Sequence, residues 1–357
     1  MNKVYKNMCY LFLGAFNLMN AAAEHEKVTS HLRQVLCGDT ASIVSGYYGN
    51  ECGNSQYEKC LDLKGHAGAI TSVALSADNT RLVSASTDNT VRLWSDLKSK
   101  PCSREIYKDA RNMYAVALKK DGSLLAAGGK AGLLYLFDNR GNKVGESGKE
   151  LLRAESTLLS IVFNPQGNTV AVGTTNGVVN FLDLETSTPL EPIVHSATYV
   201  NSIDYDSSGN LLLSGCADST VRVWDRRAKG PVQKLDKHKA AVNTVCFNDP
   251  RGEIVSGSHD ELAIVWDKRT WLPRLDIKNV TMFNKSVPVH KVAVSEDGEQ
   301  VALTQRTSIA LYSIQEGQHK QWLSEHTGCI NAVCYSSDGN YLVSGSGDKT
   351  MCLYSKQ

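Results

Sequence analysis

The chain repeats itself. Seven segments each end a short apolar run in an aromatic or apolar residue followed by Asp or Ser, at Trp94, Phe137, Leu182, Trp224, Trp266, Tyr312 and Tyr354. Successive landmarks stand 43, 45, 42, 42, 46 and 42 residues apart. A second, independent marker keeps the same beat: tight-corner pairs fall at Asp78-Asn79, Asp121-Gly122, Gln166-Gly167, Ser208-Gly209, Arg251-Gly252, Asp297-Gly298 and Asp338-Gly339. A unit of this length has room for about four short strands, and it cannot bury its apolar faces alone. Seven in series predict a closed ring of four-stranded units, a seven-bladed β-propeller.

The pattern inside a unit supports this. ITSVAL, a corner, RLVSAS, a tight turn at Thr87-Asp88-Asn89 and TVRLW give three short strands whose apolar residues alternate with period 2. A fourth, more variable strand precedes the next unit. No stretch of the repeat region reads as a long amphipathic helix, so the fold class is all-β. With 28 Gly against 8 Pro and 42% hydrophobic residues, the composition suits many short strands joined by tight corners.

Four units carry the same polar residues: His66, Ser84, Asp88 and Trp94; His195, Ser214, Asp218 and Trp224; His238, Ser256, Asp260 and Trp266; His326, Ser344, Asp348 and Tyr354. The His-to-Asp separations are 22, 23, 22 and 22, and each Asp precedes its aromatic by 6. Ser, His and Asp are the components of a nucleophilic relay. An enzyme needs one such set in one cleft, so repetition points instead to a buried network. In it Asp accepts from His, His bridges to Ser, and Ser receives the indole N–H. These motifs resemble the WD-repeat (Gβ-like) family across residues 57–357. The resemblance implies a WD-repeat propeller with structural networks and no catalytic residues. Units two, three and six depart from it: Ala131, Asn176 and Arg306 stand where Asp is expected, so these blades are expected to lean on apolar packing.

The last residue, Gln357, directly follows the third strand of unit seven, which leaves that unit without an outer strand. An open edge is a template for mispairing. The segment YEKCLDL before unit one reads as a strand that can fill the gap, and ring closure of this kind is what the resemblance implies.

Loops on a rigid scaffold are the usual place for recognition. Aligning the repeats puts Tyr114, Tyr199, Asn201, Asn243, His290 and Asn331 at loop-to-strand positions, and Lys130, His259 and Gln305 just before the Asp position. The resemblance implies that these positions line a partner-binding face. Their mix of aromatic, amide and imidazole groups suits a protein or peptide partner. The expected function is a non-catalytic protein-interaction scaffold, a monomeric propeller within a complex. The alternative is a small-ligand binder or enzyme working through the central channel, for which His259, His290 and Arg306 are the residues to inspect.

Other classes find little support. Lys plus Arg number 38 against 37 for Asp plus Glu, a net charge of +1, so no field draws the chain to nucleic acid. The ten Cys form no CxxC pair and no zinc spacing with His, so neither metal nor cofactor is expected. Cys246 and Cys334 occupy equivalent apolar positions and read as packing residues. Gly141, Gly145 and Gly148 before Lys149 lack the order of a phosphate loop. Asn279 and Asn284 begin glycosylation triplets, relevant only in a eukaryotic secretory route.

At the start, Lys3 and Lys6 precede an apolar run from Met8 to Met19 and then Ala21-Ala22-Ala23. This is the layout of a cleaved signal peptide over residues 1–23, and the run is too short to span a bilayer. Export is the expectation, with a cytoplasmic chain bearing a short amphipathic start as the alternative. Residues 24–56 form an extension of undefined role. In an oxidising compartment Cys37, Cys52 and Cys60 are the disulfide candidates.

Overall fold

Each repeat becomes an antiparallel four-stranded sheet. The computed structural model describes residues 57–97, 101–144, 151–228, 230–281 and 284–357. The segment expected to be a signal peptide, 1–23, the segment 24–56, and Cys37 and Cys52 lie outside the described residues. Blade 1 pairs Ile70–Leu75, Arg81–Ser86, Thr90–Ser95 and Cys102–Lys108 in that order, and blades 2 to 6 repeat the order over 113–153, 158–194, 200–235, 242–278 and 292–323. Blade 7 departs from it in the expected way. Its three strands Ile330–Tyr335, Tyr341–Ser346 and Thr350–Lys356 are completed by Tyr57–Lys64 from the start of the repeat region. That strand runs antiparallel along Thr350–Lys356, from Tyr57 opposite Lys356 to Lys64 opposite Thr350.

The corners form where the pairs fall. The second residue of each one, Asn79, Gly122, Gly167, Gly209, Gly252, Gly298 and Gly339, has a φ between 55° and 76°. That left-handed backbone favours Gly and tolerates Asn, which accounts for the marker's residue types.

Apolar strand residues meet between blades rather than within one. Trp94, Leu82 and Ile70 pack with Met351, Leu353 and Leu63 across the junction of blades 7 and 1. Phe181 and Val179 meet Trp224 and Leu212 across blades 3 and 4, and Val265 and Val255 meet Leu303 and Val301 across blades 5 and 6. Every junction is filled this way, so each repeat is stable only against its neighbours. Cys246 and Cys334, partly buried, pack against the junctions of blades 5 and 6 and of blades 7 and 1, and burial pushes the Cys334 thiol up to about 12. Among the described residues no helix is long and apolar enough to cross a membrane.

Candidate functional site

The polar networks assemble in three blades as the spacing requires. In blade 1, His66 Nδ1 lies 2.8 Å from Asp88 Oδ2, its Nε2 lies 2.7 Å from Ser84 Oγ, and the Trp94 indole N–H donates to Ser84 at 2.8 Å. Blade 5 repeats this with His238, Asp260, Ser256 and Trp266 at 2.8 Å for all three bonds. In blade 7, His326 lies 2.8 Å from Asp348 and 2.7 Å from Ser344, and Tyr354 occupies the tryptophan position with its buried hydroxyl making no bond to the serine. Each Asp also accepts the backbone N–H of the residue after its His. Burial pushes Asp88 up, but bonds from Thr90, the Ala67 N–H and His66 outweigh it and hold the carboxyl well below the usual range. Burial, opposed by Asp88, lowers His66. The Ser84, Ser256 and Ser344 hydroxyls have no exposed surface and no path to a substrate, so these sets fasten the incoming loop to the second hairpin.

Blade 4 differs. Four residues rather than three lie between His195 and its first strand, and the imidazole turns over. Its Nδ1 now meets Ser214 Oγ at 2.6 Å, while the Trp224 indole still donates to Ser214 at 2.7 Å. Asp218 stands 3.7 Å from Nε2, too far for a hydrogen bond, and Thr220 bridges by donating to Asp218 at 2.6 Å while lying 3.2 Å from Nε2. Burial, then the Arg222 charge, brings His195 down to about 4. The expected His195–Asp218 bond is therefore absent, and the added loop residue is the reason.

The nine residues assigned to a partner face separate into two groups. Each incoming loop bonds to the second turn of its own blade, as in Thr87 N–H to Ala69 O, Lys130 N–H to Asn112 O and His259 N–H to Ala241 O, so loops and turns share one face. Tyr199 is 53% exposed there, Lys130 and His259 are exposed, and Tyr114 and His290 are half-buried. Asn201, Asn243 and Asn331 instead work inside the ring. They occupy the extra residue of a β-bulge in the first strand, and their side-chain amides donate to a carbonyl of the next blade, that of the first-strand residues Val242 and Ile70 or of Val289 just before its first strand, at 2.9, 2.8 and 2.7 Å respectively. Thr71 makes the equivalent bond to Met113 O at 2.8 Å.

Gln305 is a correction. It is only 2% exposed, and its amide donates to Asn279 Oδ1 at 3.0 Å and to Val280 O at 2.6 Å. The second turn of blade 6 is one residue shorter than that of blade 5, four against five between paired strand residues. This swings Gln305 inward. Asn279 is fully buried with its amide on Val287 O and Pro288 O, so its glycosylation triplet is closed to modification in the folded chain. Cys60 carries a free thiol that donates to Leu353 O at 3.2 Å.

One cluster on the loop face stands out electrostatically. The rings of His259 and His290 meet edge to face at 5.8 Å. His290 is lowered by burial and then by the charges of His259, Lys291 and Arg306. Lys291 is lowered by burial, and its backbone, with that of His290, bonds to Thr304 beside the Arg306 turn. Among the described residues no carboxylate pairs with any of the four. Three of them were the residues to inspect in the channel reading. Lys291 carried no sequence signal, because the equivalent positions in blades 4 and 5 hold Ser202 and Thr244.

Comparisons agree with this geometry. A family model for the WD domain, G-beta repeat (WD40) matches residues 57–95, 189–225, 229–267 and 317–355. The chain is 27% identical over 149 residues to the WD repeat-containing protein SL1-17 of Schistosoma mansoni, covering 41% of this chain and 48% of that protein. It is 28% identical over 129 residues to WD repeat-containing protein 82 of Drosophila melanogaster, covering 36% and 40%. The matched segments thus span less than half the length of these relatives. Among solved structures, the WD40 β-propeller domain of Doa1 superposes with a TM-score of 0.73 at 21% identity, over 84% of this chain and 97% of that one.

Proposed function

Because this chain is a WD-repeat β-propeller, we propose that it is a non-catalytic scaffold that holds a protein partner on its loop face. WD40 propellers and WD-repeat relatives support protein interaction in general. What favours this face is the grouping of the His259 and His290 rings with Lys291 and the exposed Arg306, none of which has a carboxylate partner among the described residues. Such a surface is complementary to an acidic segment of a partner and steers its approach. Tyr199 and Tyr114 add rigid aromatic area on the same face. The Ser-His-Asp sets give catalysis no support, since their hydroxyls are enclosed.

The test is affinity capture from the native source with the full chain and with a Tyr199→Ala/His259→Ala/Arg306→Ala variant. All three side chains are solvent-facing or half-exposed, so the variant should fold normally. Partners held by the unmodified chain should be lost from the variant, and the complex should weaken steeply as salt rises through about 0.15 M, where screening shortens to about 8 Å. A specific partner retained equally by the variant would show that another surface does the binding.

A further inference from the structure

We propose that blade 4 carries a binding site for a divalent, thiophilic cation of the zinc class, formed by His195, Cys216 and Asp218. A nitrogen, a sulfur and an oxygen donor, one from each residue, all lie within 4.8 Å of one another. His195 Nε2 and Asp218 Oδ1 are 3.7 Å apart. Donors at the ordinary zinc distances of about 2.0–2.3 Å sit about 3.5 Å from each other in a tetrahedral shell, so that pair already has the required spacing. The sulfur needs to move by on the order of an ångström, which a side-chain rotation supplies.

The sibling blades act as internal controls. In blades 1, 5 and 7 the histidine-to-aspartate distance is 2.8 Å, room for a proton and nothing larger. The strand position of Cys216, opposite the first residue of the inner strand, is held there by Ser86, Ser258 and Ser346. Blade 4 is thus the one network of the four in which the loop is longer, the imidazole is inverted, the hydrogen bond is open and a sulfur replaces a hydroxyl. Each change adds a donor or the space for an ion.

The surroundings fit as well. Ser214 holds Nδ1 at 2.6 Å and is itself fixed by the Trp224 indole, an outer partner of the kind that orients metal-binding histidines. Arg222 reaches Asp218 Oδ2 at 3.4 Å and the His195 carbonyl, which balances charge while leaving Oδ1 turned inward. Asp218 Oδ1 accepts both the Thr220 hydroxyl at 2.6 Å and the Thr220 N–H at 3.0 Å, so an ion would take the place of the hydroxyl, whose proton turns away on rotation. Ser196 Oγ, 3.0 Å from the sulfur, places a further oxygen beside the set. Binding would replace the thiol proton of Cys216, which is released to solvent, and keep the imidazole proton on Nδ1. Sequence spacing gave no zinc pattern because the three donors come from an incoming loop and the end of a hairpin, which only the fold brings together.

The test uses the reduced full chain and the metal alone. Cobalt(II), as a spectroscopic stand-in, should bind one-to-one with a thiolate-to-metal charge-transfer band, and zinc should displace it. Cys216→Ser should abolish the band, and Asp218→Asn should weaken zinc by at least about tenfold. Both variants should fold, since Ser and Asn occupy the same places in sibling blades at Ser86 and Asn176, and their metal-free melting curves check this. No binding by the unmodified chain, or a titration that either variant leaves unchanged, overturns the site.

Discussion

Ring closure by the strand Tyr57–Lys64 makes a quantitative prediction at Tyr57. This residue opens the closing strand and is 2% exposed. Its ring packs edge-on against Tyr335 at 5.8 Å, within the apolar cluster that joins blades 6 and 7. Its hydroxyl donates to Gly339 O at 2.6 Å. Its backbone is also clamped, because Gln321 accepts from its N–H at 2.9 Å and donates to its carbonyl at 2.7 Å. Truncating a buried aromatic costs about 3–5 kcal/mol, of which the hydroxyl bond supplies about 1. Tyr57→Ala should therefore lower the melting temperature by roughly 10 °C, at about 2–4 °C per kcal/mol for a domain somewhat smaller than this one. Tyr57→Phe should lose only the hydroxyl share, about 1 kcal/mol. Tyr199→Ala, on the exposed face, should stay within about 0.5 kcal/mol of the unmodified chain. A chain that begins at Lys64 should do worse than any of these, exposing the whole edge of Thr350–Lys356 and aggregating on heating. Thermal and urea unfolding followed by circular dichroism measure all four. If Tyr57→Ala melts within about 2 °C of the unmodified chain, less than about 1 kcal/mol, the closing strand does not hold the ring together and the reasoning fails.

Two further outcomes follow from buried polar groups. Ser256→Ala leaves the Trp266 indole N–H and a His238 nitrogen without partners and should cost about 2–3 kcal/mol by urea titration, whereas an unchanged midpoint would mean that the network is not a fastener. Asp204 accepts the Phe247 and Tyr205 N–H groups, but burial, with Asp249 and Asp206 nearby, carries its pKa up to about 7. The folded chain then holds a proton that the unfolded chain gives up from about pH 4, so this residue makes stability fall as pH rises from about 4 to 7 and level off above. Asp204→Asn should remove that slope, which is at most about 1.4 kcal/mol per pH unit, and a variant with the same slope as the unmodified chain would assign it elsewhere.

What could be read from the sequence was whatever closes within one repeat. The corners depend on two adjacent residues, and the His–Ser and His–Asp bonds join residues 18 and 22 apart in a constant frame. Asn201, Asn243 and Asn331 look like surface amides from the same frame, because their carbonyl partners lie 41, 46 and 261 residues away in the next blade. The bulge that turns them there involves no special residue. A single inserted residue before the first strand of blade 4 and a single missing one in the second turn of blade 6 were enough to invert His195 and to bury Gln305. Identical motifs carry no information about such one-residue changes until the strands are paired.

Those exceptions clarify what the repeat requires. Blades 2, 3 and 6 lack the histidine network and were expected to rely on apolar packing, yet two of them keep a polar fastener. In blade 2, Asp109 stands four residues before the first strand, where His66 stands in blade 1, and accepts from the Tyr135 hydroxyl of the third strand at 2.8 Å. In blade 6 the Gln305–Asn279 bond joins turn to loop at 3.0 Å. Only blade 3 conforms to the expectation: its Thr174–Asn176 bond, at 2.6 Å, stays within one turn and reaches no loop. Where a side-chain fastener is present it is a hydrogen bond between the incoming loop and the second hairpin, and imidazole, phenol or amide can supply it, while blade 3 holds its sheet without one. The family model matches the segments that hold blades 1, 4, 5 and 7, the four with the histidine, while a fastener of the same kind is also present in blades 2 and 6.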